Sequence, residues 1–331
     1  MKLKPLFILY LFLIYGSIQA QQTKKNFSTF DNFFAKEDSF NRVKFYSGIG
    51  IGAVAYGTAS YSLYNYWYKE QGFEKFHLFN DWGEWQNMDK MGHIYTAYNQ
   101  SIVMYDLASW TGLHTNKSIV FGSLMGILLQ STIEIMDGFS PKWGFSIPDM
   151  AANFSGSLLF YLQQKYWGQQ KIVLKETSWR KRYSTDPVYS LDGKYFTTLE
   201  GRADRLYGTS IAERYLKDYN VQTYWLSVNF ESVLGIDDIP SWLNLAIGYS
   251  GENMFGGFKN EWVEGQAQFD ISKKYPRYAQ ILIAPDIDFN RIRVSSHFLK
   301  TIFKGLNIFK LPTPAIEINT KGEFIFHLLY Y

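Results

Sequence analysis

Met88-Asp89-Lys90-Met91-Gly92-His93 opens the stretch whose reading decides the fold. It runs on through the apolar segment Ser118 to Met136, ends that segment with Glu134-Ile135-Met136-Asp137-Gly138, and closes with Ser146-Ile147-Pro148-Asp149-Met150-Ala151-Ala152-Asn153 before Gly156. Its polar residues gather at the ends of apolar, small-residue-rich segments rather than along one solvated face. Three consecutive helices joined by short loops run up, down and up. The start of the first, the end of the second and the start of the third then share one end of the bundle. Asp89, Lys90, His93, Glu134, Asp137, Asp149 and Asn153 converge there. The spacings agree, because Asp89/His93, Glu134/Asp137 and Asp149/Asn153 each lie three or four positions apart and so share a helix face.

A histidine among carboxylates is what a divalent metal site or a general acid/base pair needs. His93, Glu134, Asp137 and Asp149 are therefore the candidate metal ligands and, if the protein is an enzyme, the candidate catalytic groups. Asp89, Lys90 and Asn153 are the candidate ligand-binding residues. Structural roles compete for part of this set. Asp89 can cap a helix, Ser146-x-x-Asp149 with Pro148 forms a capping box, and Asp137-Gly138 can end a helix. Capping leaves His93, Glu134 and Asn153 unexplained, since they lie inside helices among apolar neighbours, where a polar group without a partner is costly.

The pattern Asp89-Lys90-x-x-His93, an apolar hairpin, Glu134-x-x-Asp137, an aromatic loop with Trp143, then Ser146-x-x-Asp149-x-x-x-Asn153-x-x-Gly156 resembles the YfiM-like family of predicted periplasmic lipoproteins, whose function is unknown. It is more distantly similar to VanZ-like membrane proteins. Leu216 to Asn220, Thr223 to Ser227 and Trp242 to Tyr249 look like a longer, Bacteroidetes-type version of that family. The resemblance implies an envelope compartment and a helical fold, and no activity. Two departures stand out: the chain has no cysteine to carry a lipid anchor, and Glu134-x-x-Asp137 stands where VanZ-like proteins are expected to have Glu-x-x-Gln.

Composition bounds the rest. The chain has 331 residues, 47% hydrophobic, 19% charged and 19% aromatic, enough for a sizeable core and for two domains. Abundant Phe, Tyr and Trp suit a membrane interface. A net charge of +3, two of it from Lys2 and Lys4, argues against a nucleic-acid binder. Without cysteine there is no disulfide framework and no thiolate site.

Residues 1–20 read as a secretory signal peptide cleaved after Ala20, with an uncleaved anchor as the competing reading. Residues 21–45 read as a linker, and Phe73 to Met88 as an interfacial loop. Tyr46 to Trp67 is just long enough to span a bilayer, and Ser118 to Met136 is a better span. The expected fold is mainly α. A bundle of about four helices over 46–167, membrane-embedded or membrane-associated, is followed by a smaller α+β region over 168–331. Within that region Ser210 or Thr209 caps a helix, Phe298 to Phe309 is an amphipathic helix, and Asn319-Thr320-Lys321-Gly322 turns a terminal β-hairpin. Too few regular ten-residue strands are visible for an outer-membrane barrel.

Two functions are open. One is a binding or structural membrane protein of the cell envelope, meeting membrane lipid and an amphiphilic envelope metabolite. The other is a metal-dependent or acid/base hydrolase or transferase acting on an envelope lipid or cell-wall intermediate. No nucleophile elbow, phosphate loop, dinucleotide fingerprint or His-Glu-x-x-His is present.

Overall fold

The computed structural model describes residues 29–69, 72–231, 235 and 239–331; the expected signal peptide lies outside the described residues. The short helix α1 (Thr29–Phe33) precedes a long α2 (Arg42–Leu63). Then come α3 (Met88–Trp110), α4 (Thr115–Gly138) and α5 (Ile147–Trp167). The start signals are local. Asn41 accepts from Lys44 N at 3.1 Å ahead of α2, and Ser146 accepts from Asp149 N at 3.0 Å ahead of α5. Gly168, at φ +66°, ends α5 in the left-handed conformation.

Helices α3, α4 and α5 pack on one another as expected. Small residues let their backbones approach: a Cβ on Gly156 would stand 2.2 Å from Ile94 O, and one on Gly126 would stand 2.1 Å from Ser101 Oγ. The four-helix expectation needs correction. Helix α2 leans on this trio through Gly48 against Leu107 and through Tyr56 OH to Thr132 Oγ1 at 2.9 Å, while Ile49, Ile51, Val54 and Tyr61 stay exposed. Among the described helices, Thr115–Gly138 is the one long and apolar enough to cross a membrane, by length and composition alone. Glycines, serines and tyrosines lower the hydropathy of α2. The stretch expected to be a linker also holds an anchor. Buried Asp31 of α1 accepts from Ser296 Oγ, from His297 N at 3.1 Å and from Phe298 N at 3.0 Å, capping the helix that begins there.

The C-terminal half is an antiparallel sheet of six strands, larger and more regular than expected. Its strands are β1 (Ile172–Ser178), then, after two short strands β2 (Val188–Tyr189) and β3 (Phe196–Thr197) and helices α6 (Leu199–Tyr207) and α7 (Ile211–Lys217), β4 (Gln222–Asn229) and β5 (Leu243–Glu252). A small hairpin, β6 (Glu261–Glu264) with β7 (Ala267–Asp270), leads to β8 (Tyr278–Ile287). Helix α8 (His297–Leu306) precedes β9 (Thr313–Asn319) and β10 (Phe324–Tyr330). The order across the sheet is β1-β4-β5-β8-β9-β10. Ser210 caps α7 and β9–β10 form the terminal hairpin, both as expected.

The sheet is rolled. Trp225 of β4 meets Tyr330 of β10 with ring centroids 5.9 Å apart, and Thr223 Oγ1 lies 3.1 Å from Tyr330 OH. On the free edge of β1, Glu176 N donates to Ile308 O at 3.1 Å and Lys310 N donates to Glu176 O at 2.9 Å. Helix α3 lies on the outside of the roll, where Tyr98 and Phe160 bury Leu174. Trp85, just ahead of α3, packs among Tyr207 and Tyr219 of the C-terminal half.

Gly156→Ala should cost about 1–3 kcal/mol or more, because the added methyl must push α3 and α5 apart. Gly50→Ala, at an open helical position, should be neutral or stabilising by up to about 1 kcal/mol. Thermal melts of the two variants beside the parent check both, and equal melting temperatures would contradict the close approach.

Candidate functional site

The three helix ends meet as the connectivity requires, and a loop joins them. Phe79 N donates to Phe145 O at 3.0 Å and Phe145 N to His77 O at 2.9 Å, which pins the 77–81 strand-like loop beside the turn before α5. This brings in Asp81, a residue sequence reasoning missed because an aromatic loop has no period to mark it. Asp81 Oδ1 accepts from Ser146 Oγ at 2.7 Å. Its other oxygen lies 2.5 Å from Lys90 Nζ, which is also 2.9 Å from Asp89 Oδ2 and 3.0 Å from Asp149 Oδ1. Lys90, 5% exposed, thus fills a cage of three carboxylates.

Asp89 is not a helix cap. The cap position belongs to Asn87, which with Trp85 and Gln86 forms a run of three non-glycine residues at φ +47° to +60°. Such backbone is strained. It is held by Gly83 N donating to Asn87 Oδ1 at 2.7 Å, Trp85 N to Gly257 O at 2.7 Å and Tyr249 OH to Gln86 O at 2.7 Å.

One turn further along α3, His93 Nδ1 lies 3.0 Å from Asn153 Oδ1. A carbonyl oxygen only accepts, so Nδ1 carries the hydrogen and Nε2 keeps its lone pair. Nε2 faces Glu134 Oε1 at 3.4 Å and Asp149 Oδ2 at 3.9 Å. Glu134 Oε1 and Asn153 Nδ2 are fully buried without a hydrogen-bond partner, while Glu134 Oε2 accepts from Ser146 N at 3.3 Å. Asp149 belongs to both groups, one oxygen toward Lys90 and the other toward His93. Asp137 stands apart: its carboxylate accepts from Tyr68 OH at 2.6 Å, a second residue not picked from sequence. Of the sequence candidates, His93, Glu134, Asp149 and Asn153 therefore form one group, Asp89, Lys90 and Asp149 an adjoining one, and Asp137 neighbours them.

The electrostatics follow from burial. Desolvation pulls the His93 imidazole down to about 4, so it is neutral at pH 7. Burial, then the nearby Asp149 and Asp137, pushes Glu134 up to about 9; burial raises Asp137 to about 7 against the Tyr68 hydrogen bond. Asp149 is raised by burial and by the hydrogen bond it shares with Asp81. Asp81 keeps its charge, because bonds from Asp149, Lys90 and Ser146 outweigh its own desolvation. The Lys90 ammonium is held charged because Asp89 and Asp149 outweigh the effect of its burial. Burial also lifts nearby Glu84 to about 7. Among the described residues Lys90 is the one ammonium set among these carboxyl groups, and Glu134 and Asp149 hold protons in place of further positive charge.

Among the described residues, two sets of ligand atoms lie within 4.8 Å of one another: His93, Glu134 and Asp149, and Asp81, Asp89 and Asp149. Lys90 occupies the second. Donors about 2.1 Å from a tetrahedral ion are about 3.4 Å apart, so the first set is near coordination geometry. The Nδ1–H bond to Asn153 is the outer-shell partner that orients a ligating histidine.

In cation-free protein the raised Glu134 and Asp137 favour the fold at low pH, and that contribution is lost as pH rises through about 7 and then 9. His93 acts oppositely: its folded pKa is depressed, so its contribution is lost as pH falls from 6.5 through about 4. Unfolding measured with chelator present should show stability falling by on the order of a few kcal/mol from about pH 6 to pH 9. Glu134→Gln should flatten the upper part of that limb. Stability that climbs steadily toward pH 9 would contradict these protonation states.

Residues 78–165 match the model of a family described as predicted periplasmic lipoprotein (DUF2279). That range holds the Asp81 loop and every site residue picked from sequence. No curated protein and no solved structure matches the chain. Over its helical layer the chain is therefore similar to periplasmic proteins of unknown function, which supports an exported protein associated with the cell envelope.

Proposed function

We propose that the protein is a cell-envelope protein of binding or structural type whose helix ends hold one divalent cation between His93 Nε2, Glu134 Oε1 and Asp149 Oδ2. The observation that carries this reading is His93 Nε2 lying 3.4 Å from a buried Glu134 oxygen that has no hydrogen-bond partner. A nitrogen with two carboxylate oxygens suits zinc, manganese or iron(II). Such an ion would replace the protons on Glu134 and Asp149 and tie the start of α3, the end of α4 and the start of α5 together. The enclosure supports a structural role over hydrolysis, since Glu134 and Asp149 are 1% and 5% exposed, and a catalytic ion keeps a position open to substrate. The finer kinship with YfiM-like and VanZ-like proteins, carried by Asp89-Lys90-x-x-His93, belongs to the same reading.

Elemental mass spectrometry on protein purified without chelator tests it, with His93→Ala and Glu134→Gln alongside. The expected result is a near-stoichiometric transition metal in the parent, its loss in both variants, and a higher melting temperature when zinc or manganese is returned to the stripped parent. A parent that carries no metal and whose melting is unmoved by added ions overturns the reading. It would leave a hydrogen-bonded lock in which protonated Glu134 donates to His93.

A further inference from the structure

One face of the rolled sheet carries an unbroken apolar row. Leu226 of β4 stands opposite Ile247 of β5, Ile247 opposite Ile283 of β8, Ile283 opposite Ile316 of β9, and Ile316 opposite Phe326 of β10. Residues directly opposite one another share a face. These five are 38% to 64% exposed. A parallel row continues with Ile281, Ile318 and Phe324. The opposite face, inside the roll, buries Ser227, Asn244, Asp286 and Glu317 around a small apolar cluster of Trp225, Ala246, Leu282, Ala284 and Ala315, with Lys175 Nζ 2.8 Å from Asp286 Oδ2. Sheets of soluble proteins place apolar residues inside and polar residues out. A sheet whose surrounding solvent is hydrocarbon does the reverse.

The same face already carries an interface. On β1, Leu174 pairs with Leu226 and is covered by Tyr98 of α3 and Phe160 of α5, so the exposed part of the row continues from beneath the helices. Those helices are apolar on their own outer sides: Leu124 and Leu128 of α4, and Phe154, Leu158 and Leu162 of α5, are exposed.

We infer that the face of β5, β8, β9 and β10 left uncovered by the described residues lies against lipid acyl chains and seats the protein on an envelope membrane. Charge and hydrogen bonding decide between lipid and protein as the occupant. The outward positions of these strands hold no Asp, Glu, Lys or Arg, and their one hydroxyl, that of Tyr249, is already donated to Gln86 O. A protein interface averages about one hydrogen bond per 100–200 Å², and the outward positions of these strands offer no free side-chain donor or acceptor for one. Outward side chains from Ile281 to Pro285 cover about 13 Å along the strand, close to the depth of one leaflet of a bilayer whose hydrocarbon is about 30 Å thick.

The absence of cysteine makes the test direct. Ile283→Cys, Ile316→Cys and Ile318→Cys, all at exposed positions, and Lys194→Cys as a distant exposed control, are each labelled on the full chain with an environment-sensitive fluorophore. Each is mixed with vesicles of phosphatidylethanolamine and phosphatidylglycerol, with or without doxyl-labelled lipid. The three sheet positions should shift to the blue and lose on the order of half their emission to doxyl lipid, while the label at 194 should not change. Quenching at the sheet positions no greater than at 194 overturns the inference. So does a blue shift that grows with protein concentration in the absence of vesicles, which would make a second copy the occupant.

Discussion

The ammonium of Lys90 is the constraint on which the helical half depends. It is buried, and three carboxyl groups from three separate segments, Asp81 of the loop, Asp89 of α3 and Asp149 of α5, close on it at 2.5 to 3.0 Å. Burying an ion is unfavourable unless its partners are in place. The loop, the start of α3 and the start of α5 are therefore correct together or not at all. Removing the ammonium alone would leave carboxylates facing one another without a counter-charge, which costs more than the pair contributes.

Asp149 carries that constraint across to the histidine. One oxygen is drawn to Lys90 and the backbone N–H is tied to Ser146 Oγ, so the second oxygen is fixed in place before His93. His93 is oriented from the other side by Asn153, one turn along the same helix as Asp149. The capping interaction and the candidate centre are thus parts of a single arrangement rather than alternatives. Ser146 caps α5 through the same hydroxyl that donates to Asp81, while its own N–H donates to Glu134.

How much was legible in the sequence depended on whether the signal was local. The apolar periods of α3, α4 and α5 and the polar residues at their ends were legible, and chain connectivity then brought Lys90, His93, Glu134 and Asp149 together. Ser146 and Ser210 were readable as caps because capping is settled within four residues. Asp81 was not, since only the pairing of His77 and Phe79 with Phe145, far along the chain, brings it in. Asp89 looked like a cap because nothing in Trp85-Gln86-Asn87 announces a left-handed run. The sheet was underestimated for another reason. Its strands alternate Ser227, Asn244, Asp286 and Glu317 with Leu and Ile, a pattern that normally marks a half-solvated strand, and its neighbours in space are not neighbours in sequence.

The left-handed run ahead of α3 bears on how the two halves are joined. Three non-glycine residues in that conformation cost on the order of 1–2 kcal/mol each, and of the three bonds that hold them only the one from Gly83 to Asn87 lies within the helical half. Two of the bonds that hold the turn come from Tyr249 and Gly257. The geometry that positions Lys90 thus depends on β5 and the loop after it as well as on the helices themselves. The turn that sets the start of α3 is therefore a joint between the two halves, and a change at Tyr249 or Gly257 would be felt at Lys90 without touching it.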